Sequence, residues 1–241
     1  MIHVFDGADD LLPALADFVV AQAKEAIYLH GRFSLVLSGG SSPKKLYELL
    51  VTDKYRKQIE WSRVFFFFGD ERYVPADHPD SNYLMAKKAL FDPLDLSPGQ
   101  IFRMKTELEP AAAAEDYEKD LLGYFSDKPV RFDLVLLGLG DDAHTASLFP
   151  HTAVLHEKES LVKEIYIDKV KMFRITLTAP CINQAANVAF LVYGASKAEA
   201  MHHIHEDAQN IVEYPAQLIR PQGGSLHWFV DQAATQKLTN K

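Results

Sequence analysis

Arg131-Phe132-Asp133-Leu134-Val135-Leu136-Leu137-Gly138-Leu139-Gly140-Asp141-Asp142-Ala143-His144-Thr145-Ala146-Ser147-Leu148-Phe149-Pro150-His151 runs from an apolar segment into a knot of ionisable side chains. Phe132 to Leu137 is short and nearly unbroken in apolar residues, the pattern of a strand buried on both faces of a parallel sheet. Gly138 ends it, and Gly140 lets the backbone turn sharply. Asp141, Asp142 and His144 then crowd the carboxyl end of that strand, where open α/β sheets place their ligands. An imidazole changes charge near neutral pH, and a neighbouring carboxylate fixes its tautomer, so the group reads as an acid–base site. Gly138 to Ala143 also matches the loose dinucleotide pattern G-x-G-x-x-G/A, but its two carboxylates would repel a pyrophosphate.

The 241 residues suffice for one α/β domain, and one domain over residues 1–241 is the simplest reading. A formal net charge of -8 with no basic run argues against nucleic acid or an anionic membrane surface as partner. An anionic small substrate would therefore meet local positive charge. Cys181 is the only cysteine, which excludes an internal disulfide and a thiolate metal cluster. With no signal-like apolar opening and no run of membrane-spanning length, the expectation is a soluble cytoplasmic protein.

Outward from that stretch, strands are expected at Ile2–Phe5, Phe33–Leu37, Val64–Phe68, Val188–Tyr193 and Leu226–Val230. Further β segments are expected at Ile101–Met104, Leu161–Ile167 and Phe173–Thr178. Helices are expected over Asp9–His30, from Pro43 with Ser41 or Ser42 as cap, from the Ser81 cap through Leu90, and from Pro110 to about Phe125. Shorter ones follow Pro180, Gly194 and Tyr214. After Leu37, Ser38-Gly39-Gly40-Ser41-Ser42-Pro43 leads a strand into a helix, and free N–H groups there make a phosphate cradle. It is no Walker loop, because no Gly-Lys-Ser/Thr follows. Val64–Phe68 runs into Gly69-Asp70-Glu71-Arg72, where Arg72 suits a phosphate and Asp70 a base or a sugar hydroxyl. Lys197, in the first turn of a helix, is disfavoured by the dipole unless an anion binds beside it. His202, His203 and His205 read as a solvated face, since the spacing is not that of a zinc helix.

Leu37-Ser38-Gly39-Gly40-Ser41-Ser42-Pro43, Gly69-Asp70-Glu71-Arg72 with Ser81-Asn82, and His144-Thr145-Ala146-Ser147-Leu148-Phe149-Pro150 occur in one chain in this order. With Arg174-Ile175-Thr176-Leu177-Thr178 and Gly224 to Asp231, the sequence resembles the 6-phosphogluconolactonases along its whole length. The resemblance implies an α/β fold with a doubly wound, mostly parallel central sheet and helices on both faces. It implies hydrolysis of 6-phospho-D-glucono-1,5-lactone in the pentose phosphate pathway, without cofactor, metal or obligate protein partner. His144 would then be the base, with Asp142 or Asp70 orienting it or holding sugar hydroxyls. The N–H groups of Gly39, Gly40, Ser41 and Ser42 would hold the phosphate together with Arg72, Lys197 and, more weakly, Arg174. Ala143 stands where that family usually has glycine, and its methyl group disfavours a positive φ.

Two other readings are separable. Aminosugar-phosphate deaminases of the same fold carry His-x-Ala-Phe-Asn-Glu-Pro, whose Glu belongs to the catalytic relay. Phe149 occupies that position here and cannot pass a proton. A sugar-phosphate sensor would have little use for the Asp142 and His144 pair.

Overall fold

The computed structural model describes residues 1–126 and 129–239. The strands are β1 (Ile2–Phe5), β2 (Phe33–Leu37), β3 (Val64–Phe68), β4 (Asp70–Arg72), β5 (Leu134–Leu137), β6 (Val162–Ile167), β7 (Met172–Leu177), β8 (Asn187–Val192) and β9 (Ser225–Asp231). The longer helices are α1 (Ala8–His30), α2 (Ser41–Leu50) and, after a single turn α3 (Asp53–Arg56), α4 (Asn82–Ala86). Then come α5 (Asp92–Leu94), α6 (Pro110–Phe125), α7 (Ala179–Ile182) and α8 (Ala198–His205).

Six strands form a parallel sheet in the order β1-β9-β8-β5-β2-β3, with helices on both faces. Its middle strands read as apolar runs because both faces are covered: every residue of β2 and β5 is buried. From β2 the chain steps outward to β3, then returns past β2 to β5. The crevice beyond the carboxyl ends of β2 and β5 is thus the point where the winding reverses, the usual ligand position in such sheets. α1 packs on β1, β2 and β9 through Leu11, Leu15, Ala16, Val19, Val20 and Ala23, the helical spacing expected of a core-facing stripe. Gly31, at φ 80°, closes it in the left-handed conformation.

A second sheet, β4-β7-β6, is antiparallel, and α6 lies against β6 and β7. Here the charged Asp70-Glu71-Arg72 segment is a strand rather than the tail of β3, with Arg72 paired opposite Arg174. Several expected elements are shorter. Ile101–Met104 contributes one bridge to Phe66 rather than a strand. The helix capped by Ser81, whose Oγ accepts from the Leu84 N–H, turns from α to π geometry over Lys87–Phe91. Tyr214–Arg220 yields only a 3₁₀ turn over Pro215–Leu218, and the helix near Pro180 ends at Ile182. No helix of the described residues is long and apolar enough to cross a membrane.

Candidate active site

At the carboxyl end of β2 the Tyr47 hydroxyl accepts from the Ser38 N–H (2.9 Å) and donates to the Ser38 carbonyl (2.8 Å). Both polar groups of that last peptide position are thereby satisfied without a neighbouring strand. Burial pushes the Tyr47 phenol up, so it stays protonated and able to donate. The chain then passes Gly39, where a Cβ would lie 2.0 Å from Asn82 Oδ1, and Gly40 at φ 104°. That positive φ starts α2 at Ser41, two residues before Pro43, with Gly40 and no serine side chain at the cap. Pro43 is tolerated there because the first four N–H groups of a helix lack partners within it.

The smaller sheet supplies the cationic wall. Residues directly opposite in an antiparallel pair share a face, so the Arg72 and Arg174 guanidinium groups stand together. Like charges so placed repel unless an anion lies between or beside them. Arg174 Nη1 is 3.9 Å from Asp70 Oδ2, and Arg72 Nη1 donates to the Asp80 carbonyl (2.8 Å). Both Nε atoms are buried without partners. Burial, only partly offset by Asp70, lowers the pKa of Arg174. Asp70 itself accepts from Ser147 Oγ (2.6 Å) and Asn82 Nδ2 (3.3 Å), so its carboxylate is fixed in the wall. Glu71 faces the other way and is buried. It accepts from the N–H groups of Arg72, Asn82 and Tyr83, which ties β4 to the start of α4.

After β5 the turn is closed by the Gly140 N–H donating to the His144 carbonyl (2.8 Å). His144 Nδ1 lies 2.5 Å from Asp142 Oδ1, and its ring stacks on Phe149 with centroids 4.0 Å apart. Gly140 is required for room: a Cβ would fall 2.0 Å from His144 Nδ1 and 2.8 Å from Asp142 Oδ1. Ala143 adopts φ 58° in spite of its methyl group. The His144 contact, with Lys169 adding, holds Asp142 well below the usual carboxylate range. Lys169 Nζ, from the turn between β6 and β7, sits 2.9 Å from Asp142 Oδ2. Lys197 Nζ, from the turn after β8, sits 2.5 Å from Asp141 Oδ1.

These groups meet at a cleft of about 410 Å³. His144, Asp70, Gly39, Arg72, Arg174 and Lys197 line it. Asp142 stands behind His144 and faces a neighbouring hollow of about 710 Å³, while Gly40, Ser41 and Ser42 lie outside the lining of the cleft. Of the two carboxylates considered for orienting the histidine, Asp142 makes the contact and Asp70 does not. The larger hollow sets Asp141, Asp142, Asp168, Glu199 and Glu213 against Lys169, which it shares with the cleft, a poor setting for an anion, whereas the cleft adds Arg72, Arg174 and Lys197 to that lysine. His203 stacks on Tyr214 and pairs with Asp207 (2.6 Å). No group of three or more His, Cys, Asp or Glu among the described residues is arranged to hold a metal ion.

Lys169 was not singled out by residue type or spacing; Phe149, Ser147 and Asn82 stood in the quoted motifs, but not as the stacking wall of His144 and the supports of Asp70. Asp168-Lys169-Val170-Lys171 between two β segments is a hairpin signal, but only the strand pairing brings that tip to the cleft.

The glucosamine-6-phosphate isomerase/6-phosphogluconolactonase family model matches residues 6–228. A 6-phosphogluconolactonase of Nostoc sp. is 40% identical over 242 residues, covering 99% of this chain and 98% of its own. One from Synechocystis sp. is 42% identical over 224 residues, covering 91% and 90%. The solved 6-phosphogluconolactonase from Trypanosoma cruzi superposes with a TM-score of 0.88 at 29% identity, covering 99% of this chain and 96% of that one. Sequence match and superposition extend over the strand ends that form the cleft, and the chain belongs to the glucosamine-6-phosphate isomerase/6-phosphogluconolactonase family.

Proposed function

We propose that this chain hydrolyses 6-phospho-D-glucono-1,5-lactone to 6-phosphogluconate, as a cytoplasmic step of the oxidative pentose phosphate pathway. The observation that carries the reading is the His144–Asp142 pair beside four cationic side chains in one cleft. Asp142 accepts from Nδ1–H, which leaves Nε2 of His144 free to take a proton from water. The water oxygen bonds to C1, and the tetrahedral alkoxide collapses as the bond from C1 to the ring oxygen breaks. His144 then returns its proton to that oxygen. Arg72, Arg174, Lys169 and Lys197 hold the 6-phosphate with the N–H groups around Gly39. Asp70, fixed by Ser147 and Asn82, accepts from sugar hydroxyls. Capture of the phosphate sets the carbonyl against the base, so remote binding energy is used for orientation. The reaction needs only water besides the lactone.

A deaminase reading is disfavoured by Phe149, which is buried and stacked on His144 where a proton relay would need a carboxylate. The test is a lactone-hydrolysis assay corrected for spontaneous ring opening, run beside glucosamine 6-phosphate. Accelerated opening without ammonia release is expected; ammonia release with no effect on the lactone would overturn the assignment. His144→Ala is expected to abolish turnover and keep affinity for 6-phosphogluconate. Arg72→Ala is expected mainly to raise KM for the phosphorylated lactone, and unchanged kinetics would remove Arg72 from phosphate binding.

A further inference from the structure

Two consecutive aspartates of the turn after β5 each hold a lysine, and the lysines come from different elements. Asp141 pairs with Lys197 and Asp142 with Lys169, while the second oxygen of Asp142 is bonded to His144. The two pairs differ in which partner is anchored. Lys197 is 25% exposed against 69% for Asp141, whereas Lys169 is 70% exposed against 28% for Asp142. Both lysines line the cleft. An exposed ion pair is weak and easily exchanged, and a phosphate dianion offers more charge and more acceptor oxygens than a carboxylate. A dianion in the cleft therefore draws Asp141 off Lys197 by letting the aspartate swing into solvent. It draws Lys169 off Asp142 by pulling the lysine across, and Asp142 stays where it is.

Resting on the lactonase reading, we propose that the substrate phosphate activates the base as well as anchoring the substrate, by removing Lys169 from the carboxylate that serves His144. With Lys169 in place, Asp142 divides its charge between an ammonium and the imidazole. With Lys169 on the phosphate, the whole carboxylate faces the imidazolium that forms as His144 takes the proton from water, and that charged intermediate state is better stabilised. The cleft and the base are coupled through one side chain, so the coupling is reciprocal and removable by mutation.

The test separates the phosphate from the lactone. Unphosphorylated glucono-1,5-lactone is hydrolysed with and without phosphite dianion, with the 6-phosphorylated lactone as a parallel substrate. Wild-type protein is expected to show phosphite acceleration of kcat/KM by about 5- to 150-fold, the range of ordinary allosteric couplings. Lys169→Gln is expected to hydrolyse the unphosphorylated lactone faster than wild type and to lose the phosphite response. Lys197→Gln is expected to raise the phosphite concentration needed for half-maximal acceleration, because Lys197 holds the dianion and pairs with Asp141 rather than Asp142. A Lys169→Gln rate on the unphosphorylated lactone at or below wild type overturns the proposal, as does a wild-type rate indifferent to phosphite while the phosphorylated lactone is turned over. Failure to hydrolyse the phosphorylated lactone at all would instead sink the lactonase reading.

Discussion

Ala143 carries a methyl group at φ 58°, and its carbonyl accepts from the Ala216 N–H (2.9 Å), which holds the strained turn in place. A left-handed L residue costs roughly 1–2 kcal/mol, and glycine returns about 0.4–1 kcal/mol of that through its freer unfolded chain. Ala143→Gly is therefore expected to stabilise the protein by roughly 0.5–1 kcal/mol, read as a higher urea midpoint at unchanged slope. An unaltered midpoint would mean that the surrounding contacts favour the methyl group. Gly140 is constrained in the opposite sense. Gly140→Ala drives a methyl group into the His144–Asp142 contact, and misplacement on the ångström scale costs about 10²-fold in rate, so kcat should fall by that order with the circular dichroism spectrum retained. Asp142→Asn keeps the shape and loses the acceptor that fixes the tautomer. By analogy with the triad aspartate of serine proteases, a loss of about 10³–10⁴ in kcat with little change in product affinity is expected.

Among the elements, β2 ends on a side chain rather than on a neighbour. Tyr47→Phe leaves the Ser38 N–H and carbonyl without partners in a buried setting, which costs about 1–3 kcal/mol. Because Gly39 follows directly, KM for the phosphorylated lactone should rise more than kcat falls. A variant with lowered stability and unchanged KM would separate the tyrosine from the loop. The same level shows what could be read in advance. β2, β3, β5 and β8 were legible because strands covered on both faces must be apolar, and α1 because its stripe has helical spacing. β4 was not legible as a strand: Asp70, Glu71 and Arg72 have low strand preference and are held by pairing with β7 and by the bonds to Glu71. The start of α2 was misplaced because Gly40, by taking a positive φ, turns the chain before Pro43 does. His144, Asp70 and Arg72 stood out by falling at strand ends. Lys169 depends on a hairpin crossing from another sheet, and local spacing carries no trace of that.

For the molecule as a whole, acid is the condition to which carboxylates bonded in the folded state respond. The N–H groups of Glu159, Ser160 and Lys158 hold the Glu157 carboxyl down at about 2, and His144 with Lys169 lowers Asp142. A carboxyl group whose folded pKa is depressed contributes its full stabilisation above its unfolded pKa and loses it as pH falls through the folded one. For Glu157 that window runs from its ordinary 4.5 down to about 2. The melting temperature should fall across it, and Glu157→Gln should lower stability at neutral pH while flattening the acid slope. An equally steep slope in the variant would assign the acid sensitivity to other groups.

Among the described residues β1 pairs in the sheet with β9 alone, and the register joins Ile2 to Trp228. During synthesis its hydrogen-bonding edge must therefore wait for more than two hundred residues to leave the ribosome. The outermost seam of the sheet is the last to close, a long-range pairing of the kind that slows folding. Until it does, β9 presents a bare edge to any passing strand.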